Sequence, residues 1–206
     1  MRVRIYVEGG GDSSSLKSEC REGFSLFFKK AGFAGKMPSV VACGSRLNAI
    51  DKFVNSLSKN EDVCSFLLID SEDLLPQDFS DPKIFITNRD LQNNKLQFPK
   101  NLDSGKIHLM VCCMESWLVC DVEAMSNFYG KNFNGKKISE LPQDIETVLK
   151  SEIYSIINDA TKNTTAGKYD KGRHSFKLLG TIDSNKVIAR SNRAKMLMDE
   201  LNKFLS

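Results

Sequence analysis

Cys64–Ile69 is an apolar run, Cys-Ser-Phe-Leu-Leu-Ile, that breaks off at Asp70-Ser71-Glu72-Asp73. A strand apolar on both faces needs cover on both, which parallel sheets obtain from helices on either side. The segments before it complete such a unit. Arg2–Val7 alternates Val3, Ile5 and Val7 with Arg2, Arg4 and Tyr6, then ends in Glu8-Gly9-Gly10-Gly11-Asp12. A helix follows, with Ser13, Ser14 and Ser15 available as caps, Leu16, Cys20, Phe24, Phe27 and Phe28 at helical spacing, and Gly32 as its stop. Ser39–Cys43 reads as a second strand, and Leu47, Ile50, Val54 and Leu57 form one face of a second helix. The order βαβαβ predicts a parallel sheet with right-handed crossovers.

Further along, Lys83–Thr87 and Ile107–Met114 have the composition of strands, and Glu115-Ser116-Trp117 leads into an amphipathic segment through Met125. Asp144–Asn158 shows helical periodicity. Thr161–Arg173 is nearly free of apolar residues and predicts a loop. A short helix over Ser175–Leu179 and a terminal one from Asn192 close the chain. The expected fold is a three-layer α/β sandwich around a mainly parallel sheet. Residues 1–130 form its core, and residues 131–206 form a helical, basic extension packed on that core in a single compact domain.

The net charge is only +3, but residues 160–206 carry ten basic and four acidic side chains, so this quarter is +6 and the remainder −3. Two readings fit that bias: a surface for a polyanion, or a solvated helical tail. The opening MRVRIYVEGG has no signal-peptide pattern, and no apolar stretch is long enough to span a bilayer, so a cytoplasmic protein without a membrane partner is expected. The six cysteines lack C-x-x-C spacing and mostly sit among apolar residues, as reduced core thiols do. With two histidines, a structural zinc site is not expected.

Acidic residues gather where strands end: Glu8 after the first, Asp70 and Glu72 after the third, Glu115 after Ile107–Met114. The carboxyl ends of adjacent parallel strands open on one crevice. Carboxylates lifted from separate strands can meet there, and oxygen-only ligands favour a hard ion, Mg²⁺ or Mn²⁺. Solvated acids at strand ends are the plainer alternative. The Gly9-Gly10-Gly11 turn fits a phosphate against helix amides or merely a sharp turn, and it lacks the dinucleotide and Walker patterns. In Lys168-Tyr169-Asp170-Lys171-Gly172-Arg173-His174, the cations could brace a phosphodiester and His174 could protonate a leaving oxygen. A surface loop would have the same composition. His108 is expected inside a strand, Trp117 as a core anchor, and Glu115 and Asp121 have no assigned role.

Glu8 in VEGGGD, with Asp70 and Glu72 in LLIDSED, resembles the TOPRIM domain of topoisomerases, primases and OLD-type nucleases. That family carries a glutamate after its first strand and an acidic pair after its third. Over nearly the whole chain, VEGGGD, CREGFSLFFKKAGFAGKMPSVVACGSR, LLIDSED, HLMVCCMESWLVCD and YDKGRHSF are similar to a bacterial family of uncharacterised TOPRIM-like proteins. Members are often encoded beside ATPases of the AAA or ABC class, an arrangement associated with anti-phage defence. The resemblance implies an Mg²⁺- or Mn²⁺-dependent nuclease acting on DNA or RNA. Its catalytic residues would be Glu8, Asp70, Glu72, Lys171 and His174. Glu8, Asp70 and Glu72 would hold metal, with Asp73 competing with Glu72, since Glu stands where the family pattern often has Asp. Gly9, Gly10, Gly11, Lys168 and Arg173 would contact substrate. The alternative is a non-catalytic partner of an ATPase, and self-association is compatible with either.

Overall fold

The computed structural model describes residues 2–58, 62–92 and 94–205. Four strands, β1 (Arg2–Val7), β2 (Ser39–Ala42), β3 (Val63–Asp70) and β4 (Ile107–Met110), form one parallel sheet in the order β2-β1-β3-β4. The helices are α1 (Ser14–Phe28), α2 (Arg46–Leu57), α3 (Pro82–Ile86), α4 (Glu115–Leu118), α5 (Val122–Tyr129), α6 (Lys136–Ser139), α7 (Lys150–Thr161), α8 (Lys171–Thr181), α9 (Ser184–Ile188) and α10 (Asn192–Leu205).

Alternation along the strands divides the core in two. Val3, Ile5, Val7, Phe66, Leu68 and Met110 face one layer, built on α1, α8 and α10. Tyr6, Leu67, Ile69 and Leu109 face the other, with Ala49, Ile50 and Phe53 of α2 and Ile86 of α3. Both faces of β3 are therefore covered, as its unbroken apolar run requires. The result is the expected three-layer α/β sandwich. Among the described residues, no helix is long and apolar enough to cross a membrane.

Helices α1 and α8 are pressed together. A Cβ on Gly23 would collide with the Phe176 carbonyl oxygen, and Lys30 donates to the Gly180 and Ile182 carbonyls at the end of α8 (2.8 and 3.2 Å). Gly23→Ala is expected to cost about 2 kcal/mol by forcing the two backbones apart. A urea titration reads this as a lower midpoint with an unchanged slope. An unshifted midpoint would mean that the two helices can separate freely.

Several boundaries differ from the sequence expectation, each for a local reason. Lys83–Thr87 is not a strand: Asp81 caps the Lys83 and Ile84 N–H groups (2.6 and 3.3 Å), Pro82 opens the helix, and α3 results. Strand β4 stops at Met110 instead of Met114. Its backbone turns out of the sheet at Cys112 (φ 61°), whose N–H donates to Ser71 Oγ at 2.7 Å. The helix expected over Asp144–Asn158 begins only at Lys150. Asp144 caps a single 3₁₀ turn, the Ile145 N–H is taken by the Arg190 carbonyl, and Val148 and Leu149 are extended. Conversely, α8 starts at Lys171, inside the expected loop, because Asp170 accepts the Arg173 N–H at 2.9 Å.

Candidate active site

The carboxyl ends of β1, β3 and β4 converge on a cavity of about 300 Å³. Glu8, the Gly9-Gly10-Gly11 turn, Gly44, Asp70, Met110 and Lys171 are among its lining residues. The turn is held by backbone alone: Gly9 and Gly44 exchange N–H···O bonds of 2.9 and 2.8 Å, tying the exits of β1 and β2 together. Gly44 (φ 80°) must lack a side chain, since a Cβ there would stand 2.6 Å from the Gly11 carbonyl oxygen.

Asp70, the last residue of β3, is buried at 5% exposure. Its Oδ1 has no hydrogen-bond partner, and its Oδ2 lies 4.0 Å from Lys171 Nζ. Burial pushes the Asp70 carboxyl up to about 8. Lys171 opposes this, and the charges of Glu115, Glu8 and Glu72 add to it. Glu8 is half-buried one residue past β1 and 3.5 Å from Arg46. Burial raises its carboxyl too, with Arg46 pulling part of the way back.

Glu72 sits at φ 72°, which turns it toward Lys150, its ion-pair partner at 2.5 Å. Burial works against its charge, but the Lys150 ammonium prevails and holds the carboxyl below the usual range. Asp73, the competing candidate, turns outward: its side chain is 81% exposed and pairs with Arg89 at 3.1 Å. Neither residue lines the cavity, and Glu72 is the less exposed of the two.

Glu115 opens α4 after the Cys112 turn and is completely buried. Its Oε1 accepts the Tyr169 hydroxyl at 2.6 Å and lies 3.7 Å from Lys171 Nζ, while Oε2 has no partner. Lys171 thus bridges Asp70 and Glu115. Burial disfavours its charge, yet the two carboxylates keep its pKa above the ordinary lysine value.

Arg46 escaped the sequence reading. It donates to both oxygens of Asp90 (2.8 and 2.9 Å), to Glu8, and to the Asp70 carbonyl. Its position immediately after the Gly44-Ser45 exit of β2 was the available signal. Lys150 was missed as well, because its helix was expected to start earlier. Arg46, Lys150 and Lys171 are each the first residue of their helix, α2, α7 and α8.

Other candidates lie elsewhere. His174 is buried against Phe128, Tyr129 and Tyr169, with Nδ1 accepting the Asp170 N–H at 3.2 Å and 3.2 Å from the Tyr129 hydroxyl. Burial, then Arg173, lowers its pKa. It does not line the crevice, nor do Lys168 and Arg173, which are exposed. Asp121 caps α5 and pairs with Lys186 at 2.7 Å, which gives it a structural role. Trp117 stacks on Phe27 in the core, ring centroids 5.1 Å apart. His108 lies in β4 against Phe66, and burial pushes its pKa down to about 4. The six thiols are unpaired, and burial raises those of Cys20, Cys113 and Cys120 to about 12, so none is a ready nucleophile.

Among the described residues, no three His, Cys, Asp or Glu side chains form a ready-made metal cage. Each carboxylate is instead beside a cation of the chain: Glu8 beside Arg46, Glu72 beside Lys150, and Asp70 and Glu115 beside Lys171. The carboxylates lining the cavity, Glu8 and Asp70, nonetheless offer only oxygen donors, and the buried Asp70 Oδ1 has no partner, which fits a hard cation entering from the cavity.

Residues 7–202 match the domain of unknown function DUF4276. The chain belongs to that family. No curated protein and no solved structure matches it. In this DUF4276 chain the matched span runs from the end of β1 into α10, so Glu8, Arg46, Asp70, Glu72, Glu115, Lys150 and Lys171 all fall within it.

Proposed function

We propose that this chain is a divalent-metal-dependent nuclease, hydrolysing phosphodiesters of DNA or RNA on a TOPRIM-like sheet. One observation carries the reading. Glu8 and Asp70, from adjacent strands, line a single cavity in which the buried Asp70 keeps an unpartnered oxygen. Glu8 and Asp70 would hold Mg²⁺ or Mn²⁺, and Glu72 would join them on release from Lys150. When bound, such an ion polarises a phosphoryl oxygen and lowers the pKa of its water.

The chain's own residues supply the rest. In place of ligating the ion, Glu8, half-buried with a raised pKa, would be suited to take a proton from an attacking water. The Lys171 ammonium, at the cavity wall, braces a nonbridging phosphate oxygen. The glycine turn lets a strand backbone approach closely. The resemblance to TOPRIM-like proteins encoded beside AAA- or ABC-class ATPases supports a defence role with an ATPase partner.

A cleavage assay tests this, using plasmid, single-stranded DNA and tRNA in Mg²⁺, Mn²⁺ or EDTA, with and without any AAA- or ABC-class ATPase found encoded beside it. Cleavage should require metal and fall at least about a hundredfold in Glu8→Gln. Cleavage that survives both EDTA and Glu8→Gln would sink the proposal.

A second reading has its own support. Glu8, Glu72 and Asp70 each have a cation of the chain beside them, so the crevice can persist without metal. A non-catalytic ATPase subunit would look this way. It would show no cleavage of any substrate, even with the partner present.

A further inference from the structure

Lys171 is held between two buried carboxylates without a close bond to either. Its Nζ lies 4.0 Å from Asp70 Oδ2 and 3.7 Å from Glu115 Oε1. The two carboxylates differ in what fixes them. Glu115 is anchored by the Tyr169 hydroxyl at 2.6 Å and by its place in the fully buried α4, away from the cavity lining. Asp70 lines the cavity and keeps a buried oxygen, Oδ1, with no partner at all. The Lys171 side chain is half-exposed, at the first position of α8, so it can shift while Asp170 keeps the helix start in place.

We propose that Lys171 is the built-in counter-ion of Asp70, displaced when a divalent ion arrives, and that Glu115 is the positioning residue that receives it. The inference rests on the metal-dependent reading above. In the metal-free protein the ammonium offsets part of the repulsion among Asp70, Glu115, Glu8 and Glu72. A divalent ion on Asp70 repels that ammonium, and Glu115, already within 3.7 Å, holds it at the cavity edge instead of releasing it to solvent. The cation therefore stays beside the ion, where it can meet a phosphate. The other two cations near these carboxylates pair with different partners: Arg46 with Asp90 and Glu8, Lys150 with Glu72.

Competition and reception predict opposite signs. Titration calorimetry with Mn²⁺ on the full chain at pH 8.5 under nitrogen should show Lys171→Met binding about tenfold tighter than wild type, since a competitor is gone. Glu115→Gln should bind about fivefold more weakly, because Lys171 then remains on Asp70. In the Lys171→Met background, Glu115→Gln should change affinity by less than about twofold. Lys171→Met affinity equal to or below wild type overturns the proposal. So does a Glu115→Gln effect of the same size in both backgrounds, which would make Glu115 a ligand or a fixed charge. Lys171→Met has one half-exposed site, so it remains decisive if Glu115→Gln does not fold. If neither wild type nor Lys171→Met binds Mn²⁺, the metal-dependent reading falls and this inference with it. Mn²⁺ binding with the wrong sign sinks only the inference.

Discussion

Asp70→Asn should melt several degrees above wild type in EDTA at pH 8.5, with a smaller gap at pH 5. The carboxyl is held at about 8 in the fold against an ordinary value near 3.8. A raised carboxyl means that the folded state prefers the proton. The stability linked to Asp70 is therefore greatest below about pH 4 and is lost progressively as pH rises to about 8. By neutral pH that loss is on the order of a few kcal/mol. Asparagine carries no charge and escapes it. At about 2–4 °C per kcal/mol for a chain of this size, the difference is measurable by thermal melts at the two pH values. A mutant that melts below wild type at both would make Asp70 a structural carboxylate and remove the stored repulsion that a cation is proposed to relieve.

Arg46→Met should be the most damaging substitution at the crevice. It strips Asp90 of a bidentate partner, Glu8 of its nearest cation and the Asp70 carbonyl of its donor. Removing one member of a largely buried pair costs about 3 kcal/mol or more, because the abandoned charge stays where it is. A fall in melting temperature of about 6–12 °C is expected. Arg46→Met/Asp90→Asn should recover part of that loss, since no unpaired charge then remains at Asp90. Failure of the double mutant to recover anything would place the cost in Arg46's other contacts.

What could be read from the sequence follows the range of the forces involved. β1 and β3 announce themselves by alternation and by apolar continuity, which are local, and the crevice follows from parallel topology. Arg46 and Lys150 reach Glu8 and Glu72 across 38 and 78 residues, and no spacing along the chain encodes such a contact. The choice between Glu72 and Asp73 turned on one left-handed residue, Glu72 at φ 72°, whose side chain type does not advertise it. His174 was legible in principle. It lies four residues before Leu178 on the buried face of α8, but that face is recognisable only once the helix is started at Lys171. The strand expected over Lys83–Thr87 failed for a simpler reason: Asp81-Pro82 is a helix opening.

Arg46, Lys150 and Lys171 share the first position of their helices. Aligned peptide dipoles make that end of a helix partly positive, so a cation there opposes its own helix by roughly 0.3–1 kcal/mol. Three helices of this fold thus carry the wrong sign for their own good. Each would be steadier with Asp or Glu in the same place. The mismatch is tolerated because the beneficiary lies outside the helix: three helix ends and three side-chain cations turn the same sign of field onto four carboxylates. A crevice framed in this way keeps its acidic groups beside cations that the chain itself supplies. Raising the ionic strength should accordingly loosen the part-exposed Lys150–Glu72 pair before the more buried Arg46–Asp90 pair.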